Sequence, residues 1–69
     1  MRFRYYCLYR PPIPGTVPRG VIEMEAVPEK TYYPQIDRKA WGWVEYEHEL
    51  MPQQLDNYSL AGPEVRHAP

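Results

Sequence analysis

The sequence has few of the cysteine and histidine residues that stabilise many small proteins through disulfides or bound zinc. Its 69 residues include one cysteine, Cys7, and two histidines, His48 and His67. One cysteine cannot form an intramolecular disulfide, and the three residues lack the paired short spacings of a structural zinc site. We therefore expect no metal and no cofactor. Because a lone thiol suits a reducing compartment and no continuous apolar stretch follows the first arginines, we predict a cytoplasmic protein without a signal peptide or membrane span.

An excess of charge of either sign is also absent. Lys and Arg number 8 against 9 Asp and Glu, so the formal net charge is -1. This balance, and the lack of a helix long enough to read a major groove, disfavour duplex nucleic acid as a target. A chain this short buries only about 60% of the surface that it exposes when unfolded. We therefore predict a homo-oligomer, in which another copy supplies stability.

Proline and aromatic residues are abundant, with nine prolines, seven tyrosines and two tryptophans. Segments that alternate between apolar and polar residues predict three strands, at residues 1–9, 21–27 and 40–50. The segments between them, 10–20 and 28–40, are proline-rich and predict loops, the second with a turn of helix near residues 37–40.

The C-terminal part of the chain completes the predicted fold. Pro52 suits the first residue of a short helix, and Gly62-Pro63 stops regular structure. The predicted fold class is therefore α+β: a small antiparallel three-stranded sheet with one short C-terminal helix and proline-rich loops. A single domain is predicted at residues 1–62, with a flexible tail at 63–69. The expected core residues are Met1, Phe3, Tyr5, Ile22, Met24, Val44, Tyr46, Leu50, Leu55 and Tyr58.

Charges on the first and third predicted strands are complementary. Arg2 and Arg4 lie on the first strand, whereas Glu45, Glu47 and Glu49 lie on the third. If the two strands are antiparallel neighbours, the arginines can pair across to the glutamates, at roughly 0.2–1 kcal/mol for each pair. The charge pattern thus predicts strand partners before it predicts a ligand.

Aromatic and arginine side chains share the polar face of this predicted sheet. Trp41 and Trp43 lie on the same side of their strand as the glutamates, where Arg2 and Arg4 can reach them. Indole rings beside guanidinium groups can stack on a nucleobase and bind its phosphates, and the same residue types anchor subunit interfaces. The predicted ligand-binding residues are Arg2, Arg4, Tyr6, Arg10, Trp41 and Trp43.

Candidates for catalysis are few. Ser59 is the only serine, and a Cys7–His48 pair is disfavoured because Glu47 and Glu49 point to the face opposite His48. The glutamates at 45, 47 and 49 are more typical of a solvated strand face than of a cation site. We therefore predict that the chain is not an enzyme. A small hydrolase that uses His48 ranks third, behind the two binding functions described below.

The segment from residue 40 to 60 resembles small uncharacterised proteins of gut bacteria, their phages and mobile elements. In these proteins a Trp-Gly-x-Val-Glu-Tyr strand precedes a Leu-x-Pro-x-x-Leu helix start. The opening residues 1–15 are similar to the start of the same group. The matching residues are Trp41, Gly42, Trp43, Val44, Glu45, Tyr46, Leu50, Pro52, Leu55, Asp56, Tyr58 and Leu60. Met51 stands where the group has a threonine that caps the helix.

The resemblance implies an accessory protein of a phage or mobile element that acts on host defence in the bacterial cytoplasm. On this basis the leading hypothesis is a non-catalytic protein that binds and sequesters a small nucleotide-like ligand. The tryptophans and Tyr6 would stack on the base, and Arg2, Arg4 and Arg10 would hold phosphate. The alternative is an inhibitor or adaptor that docks on a host defence protein through the same surface, its acidic strand mimicking nucleic acid.

Overall fold

The computed structural model describes residues 1–67 as one antiparallel sheet of four strands with a short helix. The elements are β1 (Arg2–Cys7), β2 (Glu23–Tyr33), β3 (Arg38–Tyr46), α1 (Pro52–Tyr58) and β4 (Leu60–Arg66). Along the sheet the strands follow the order β2-β3-β1-β4. Within the described residues, no helix is long and apolar enough to cross a membrane.

The prediction of three strands is wrong, because residues after the helix form a fourth. β4 pairs with β1, with Phe3 opposite Val65 and Cys7 opposite Leu60. Pro63 is tolerated there because β4 is an edge strand, where a missing backbone N–H need not leave a neighbour unpaired. Residues 63–66 of the predicted tail thus lie in the sheet, and residues 68–69 lie outside the described part of the chain.

The β2–β3 hairpin occupies the segment that the sequence predicts as a long loop. A turn at residues 34–37 closes it, with the Ile36 N–H donating to the Tyr33 carbonyl at 3.2 Å. The register is irregular between Ala26 and Thr31, and this irregularity accommodates Pro28 on the outer strand. β2 therefore runs six residues beyond its predicted end at Val27, while β3 ends at Tyr46 instead of residue 50.

Gly42 allows β2 and β3 to approach closely. Its φ is +122°, and a Cβ built there would lie 1.9 Å from the Glu25 carbonyl oxygen. Only glycine fits such a position.

A small apolar cluster of Tyr6, Leu8 and Ala40 is buried on one face of the sheet. The larger apolar core lies on the opposite face, under α1 and the loop between β1 and β2. Its buried residues are Tyr5, Cys7, Val44, Tyr46, Leu50 and Leu60, against which Leu55, Val17 and Val21 pack. The Tyr46 hydroxyl donates to the Pro18 carbonyl at 2.7 Å and so ties the loop to the sheet. Phe3 and Met24 are partly buried against this cluster, as expected. Met1, Ile22 and Tyr58, also expected in the core, are 66%, 40% and 41% exposed.

Candidate functional site

Glu45 lies at the centre of the opposite face of the sheet, and only 1% of it is exposed. It lies directly across from Arg4, because β1 and β3 pair with Phe3 opposite Tyr46 and Tyr5 opposite Val44. The predicted pairing of the basic first strand with the acidic third strand is thus confirmed.

Three arginines surround the Glu45 carboxylate. The Arg4 Nε donates to Glu45 Oε2 at 2.6 Å, and its Nη2 lies 2.6 Å from the same oxygen. The Arg2 Nη1 donates to Oε1 at 3.3 Å and to Glu23 Oε2 at 2.9 Å. Arg66, on β4, brings its Nε within 3.4 Å of Oε2. Burying a carboxylate is costly without such partners, so the three guanidinium groups make its position possible.

Trp43 extends this cluster toward β2. The Arg4 Cζ lies 3.6 Å from the centroid of the Trp43 ring, in a cation–π contact. The Trp43 Nε1–H donates to Glu25 Oε2 at 3.1 Å. The indole is half-buried, and its position is set by Arg4 on one side and Glu25 on the other.

Tyr6 extends the cluster toward the other edge of the sheet. Its hydroxyl donates to Glu64 Oε1 at 2.6 Å, and its ring packs on Tyr33 with centroids 4.7 Å apart. Burial raises the pKa of Tyr6 to about 12, and the hydrogen bond to Glu64 acts in the same direction. Tyr6 is therefore neutral at physiological pH. We call this surface the Glu45 face; its residues are Arg2, Arg4, Tyr6, Glu23, Glu25, Tyr33, Trp43, Glu45, Glu64 and Arg66.

The structure brings four of the six predicted site residues together. Arg2, Arg4, Tyr6 and Trp43 all lie on the Glu45 face. Arg10 lies elsewhere, beside a cavity between the proline-rich loop and the helix. Trp41 is half-buried on β3 and belongs to neither apolar cluster.

Sequence reasoning missed the contribution of β4 to this face. Glu64 and Arg66 fall in the predicted tail, yet they contact Tyr6 and Glu45. The alternation of polar and apolar residues at Glu64, Val65 and Arg66 indicates a short strand, but the preceding Gly62-Pro63 disfavours one.

The residues considered for catalysis lie apart from the Glu45 face. Cys7 is buried in the apolar core, and desolvation by burial raises its pKa to about 11. His48 is exposed beyond β3, with its ring 5.9 Å from that of Tyr46. The Ser59 backbone caps the C-terminus of α1. A buried, protonated thiol is a poor nucleophile.

A family model described as "Defence against restriction A C-terminal" matches residues 1–64. The chain belongs to this family. The family is one of phage and mobile-element anti-restriction proteins, which agrees with the origin that the sequence pattern suggests. No curated protein and no solved structure matches the chain.

Proposed function

We propose that this chain is a non-catalytic protein-binding module that acts in defence against restriction. In this proposal the Glu45 face docks on a restriction enzyme or another host defence protein. The observation that carries the proposal is the pairing of the arginines on this face with Glu45.

This pairing disfavours capture of a nucleotide on the Glu45 face. A phosphate that bound Arg2 and Arg4 would compete with Glu45 for both guanidinium groups. Removing the partners of a carboxylate that is 1% exposed leaves an uncompensated buried charge, and breaking such a pair costs about 3–5 kcal/mol. The face therefore favours a partner that leaves its ion pairs intact.

The composition of the face suits a protein partner. The helix and the proline-rich loop pack on the other side of the sheet, so neither covers the Glu45 face. Partly exposed Trp, Tyr and Arg side chains are the types enriched among energetically dominant interface residues. Here Trp43 and Tyr33 are half-buried, Arg4 is mostly buried, and all three are held by neighbours, so a partner would meet a largely preorganised surface.

Mimicry of nucleic acid is a weaker form of the same proposal. A mimic needs a row of unpaired carboxylates to replace phosphates. Glu45 is surrounded by arginines, and Glu23 and Glu25 each accept a hydrogen bond from a neighbouring side chain. The acidic side chains on this face are therefore mostly paired with neighbouring side chains of the same face.

A binding measurement tests the proposal directly. The purified chain is immobilised, and its affinity for purified restriction endonucleases is measured by biolayer interferometry. Trp43→Ala should raise the Kd at least tenfold for the endonuclease that binds. Tyr9→Ala is the matched control, because Tyr9 is an aromatic residue 72% exposed outside the Glu45 face, and it should change the Kd less than twofold.

Two outcomes contradict docking through this face. One is the absence of binding to every endonuclease tested, together with undiminished cleavage of unmodified DNA in the presence of the chain. The other is equal loss of affinity in the Trp43 and Tyr9 variants, provided that both melt as cooperatively as the parent chain.

A second copy of the chain is the competing occupant of the face. Homo-oligomerisation is also expected from the small core. Sedimentation velocity separates the two cases, because a self-association through this face would be weakened by Trp43→Ala in the absence of any endonuclease.

A further inference from the structure

A polar cavity of about 250 Å³ lies between the proline-rich loop and the C-terminal end of α1. It is separate from the Glu45 face. The residues that line it are Arg10, Gly15, Thr16, Asn57, Tyr58 and Ser59. This volume is just below the range of about 300–1,000 Å³ that is usual for ligand pockets, so it suits a small ligand.

We propose that this cavity binds a nucleoside monophosphate, with the phosphate on Arg10 and the base against the ring of Tyr58. The site is independent of the docking proposed for the Glu45 face. It gives a different location to the nucleotide-like ligand that the sequence suggests.

Arg10 differs from the arginines of the Glu45 face. It is exposed, and within residues 1–67 it takes part in no ion pair, whereas Arg2 and Arg4 both bind Glu45. Its guanidinium donors are therefore available to an anion. A guanidinium group matches the geometry of a phosphate and can bind it through two parallel hydrogen bonds.

Tyr58 and its neighbours supply the other half of the site. Tyr58 is an aromatic residue, 41% exposed, at the last position of α1. Stacking of a base on such a ring contributes about 1–3 kcal/mol. The Asn57 amide and the Ser59 hydroxyl can each donate and accept hydrogen bonds, as ribose hydroxyls and base edges require.

The two walls of the cavity differ in charge, and this difference favours one orientation of the ligand. Its α1 wall is the C-terminus of a helix, where backbone carbonyl groups repel anions and attract donors. The base and ribose, which carry donors, therefore suit the α1 wall. The phosphate suits the opposite wall, where Arg10 lies.

Both walls are held in place. The Leu8 N–H donates to the Ser59 carbonyl at 3.1 Å, which fixes the end of α1 to the end of β1. In the loop, the Thr16 N–H and hydroxyl both donate to the Ile13 carbonyl, at 2.9 and 2.7 Å. Gly15 has a φ of +92°, and a Cβ there would meet no atom within 4 Å, so the loop leaves open space on this side.

A titration followed by NMR tests the site. The four nucleoside 5′-monophosphates are added separately to the ¹⁵N-labelled chain at low ionic strength, with adenosine and inorganic phosphate as partial probes. At least one monophosphate should shift the amide signals of residues 57–59 and bind at least tenfold more tightly than either partial probe.

Three variants assign the contacts. Arg10→Ala should weaken binding at least tenfold, and Tyr58→Leu should weaken binding of the monophosphate without changing that of inorganic phosphate. Arg19→Ala is the matched control, since Arg19 is exposed in the same loop, takes part in no ion pair within residues 1–67 and borders a different cavity. It should change the affinity less than twofold.

The proposal is overturned if no monophosphate shifts these signals, or if Arg19→Ala weakens binding as much as Arg10→Ala. Binding that Tyr58→Leu leaves unchanged overturns the assignment of the base to Tyr58. Arg10, Arg19 and Tyr58 are exposed, so the variants should melt near the parent temperature, which circular dichroism verifies.

Discussion

Arg4 and Glu45 lie directly opposite each other on β1 and β3, and the Arg4 Nε donates to Glu45 Oε2 at 2.6 Å. This contact joins the two central strands of the sheet on the face opposite the core. Because Arg4 also stacks on Trp43, one guanidinium group organises both the charge and the aromatic surface of the Glu45 face.

Removing the charge of Glu45 should destabilise the fold strongly. Glu45→Gln leaves three arginines facing a neutral amide in a buried position, and the free energy of unfolding should fall by about 2–4 kcal/mol. Urea unfolding followed by circular dichroism measures this loss. Glu47→Gln is the control, because Glu47 is exposed, and it should change stability by less than about 0.5 kcal/mol. If Glu45→Gln changed the free energy of unfolding as little as Glu47→Gln, the ion pairs of Glu45 would contribute little to stability.

Gly42 should tolerate no side chain. Gly42→Ala places a Cβ 1.9 Å from the Glu25 carbonyl oxygen, so β2 and β3 must separate. We expect a loss of more than about 3 kcal/mol or failure to fold. Gly15→Ala has a comparable positive φ without a clash and should lose only about 1–2 kcal/mol. Equal losses in urea unfolding would refute the close approach of the strands.

Cys7 should react slowly with thiol reagents in the folded chain. Its burial in the core limits access and raises its pKa to about 11, so the thiolate fraction at pH 8 is small. Labelling with Ellman's reagent at pH 8 should be at least a hundredfold slower than labelling in 6 M guanidinium chloride. Rapid labelling without denaturant would place Cys7 at the surface.

The fold should lose stability at alkaline pH. Burial raises the pKa of Cys7 to about 11 and of Tyr6 to about 12, and it also raises the pKa of Tyr46. Above pH 9 the unfolded chain therefore loses protons that the folded chain keeps, so the free energy of unfolding falls as pH rises. The melting temperature should be constant near pH 7–8 and decline from pH 9 to pH 11.

Tyr6→Phe provides the control for this decline. The variant loses the hydrogen bond to Glu64 and should be less stable at pH 7 by about 1 kcal/mol. Its melting temperature should fall less steeply above pH 10, because one titrating group is gone. A parent chain that melts at the same temperature at pH 8 and pH 11 would contradict the buried positions of these groups.

Local sequence patterns predicted the central part of the sheet. Alternation marked the first and third strands, and the opposite charges of Arg4 and Glu45 predicted that they pair. Pro52 marked the first residue of α1. These features depend on residues that are close in sequence or on a charge contrast that is visible without the fold.

The missed features depend on contacts that are distant in sequence. β4 contains Gly62 and Pro63, which disfavour a strand on local grounds, and it forms because β1 offers an unpaired edge. β2 continues through Pro28 because it is an edge strand with an irregular register. The candidate site differs from the predicted one for the same reason. Arg66 contacts Glu45 because β4 pairs with β1, which the local sequence did not predict. Arg10 lies beside a separate cavity, away from the other predicted ligand-binding residues.

NMR mapping of the labelled chain with a bound restriction endonuclease shows whether the Glu45 face docks a protein. We predict that the signals lost or shifted cluster at the Trp43 indole, Tyr33 and Arg66. Perturbation confined to α1 and the proline-rich loop, with the Trp43 indole unchanged, would contradict docking through the Glu45 face.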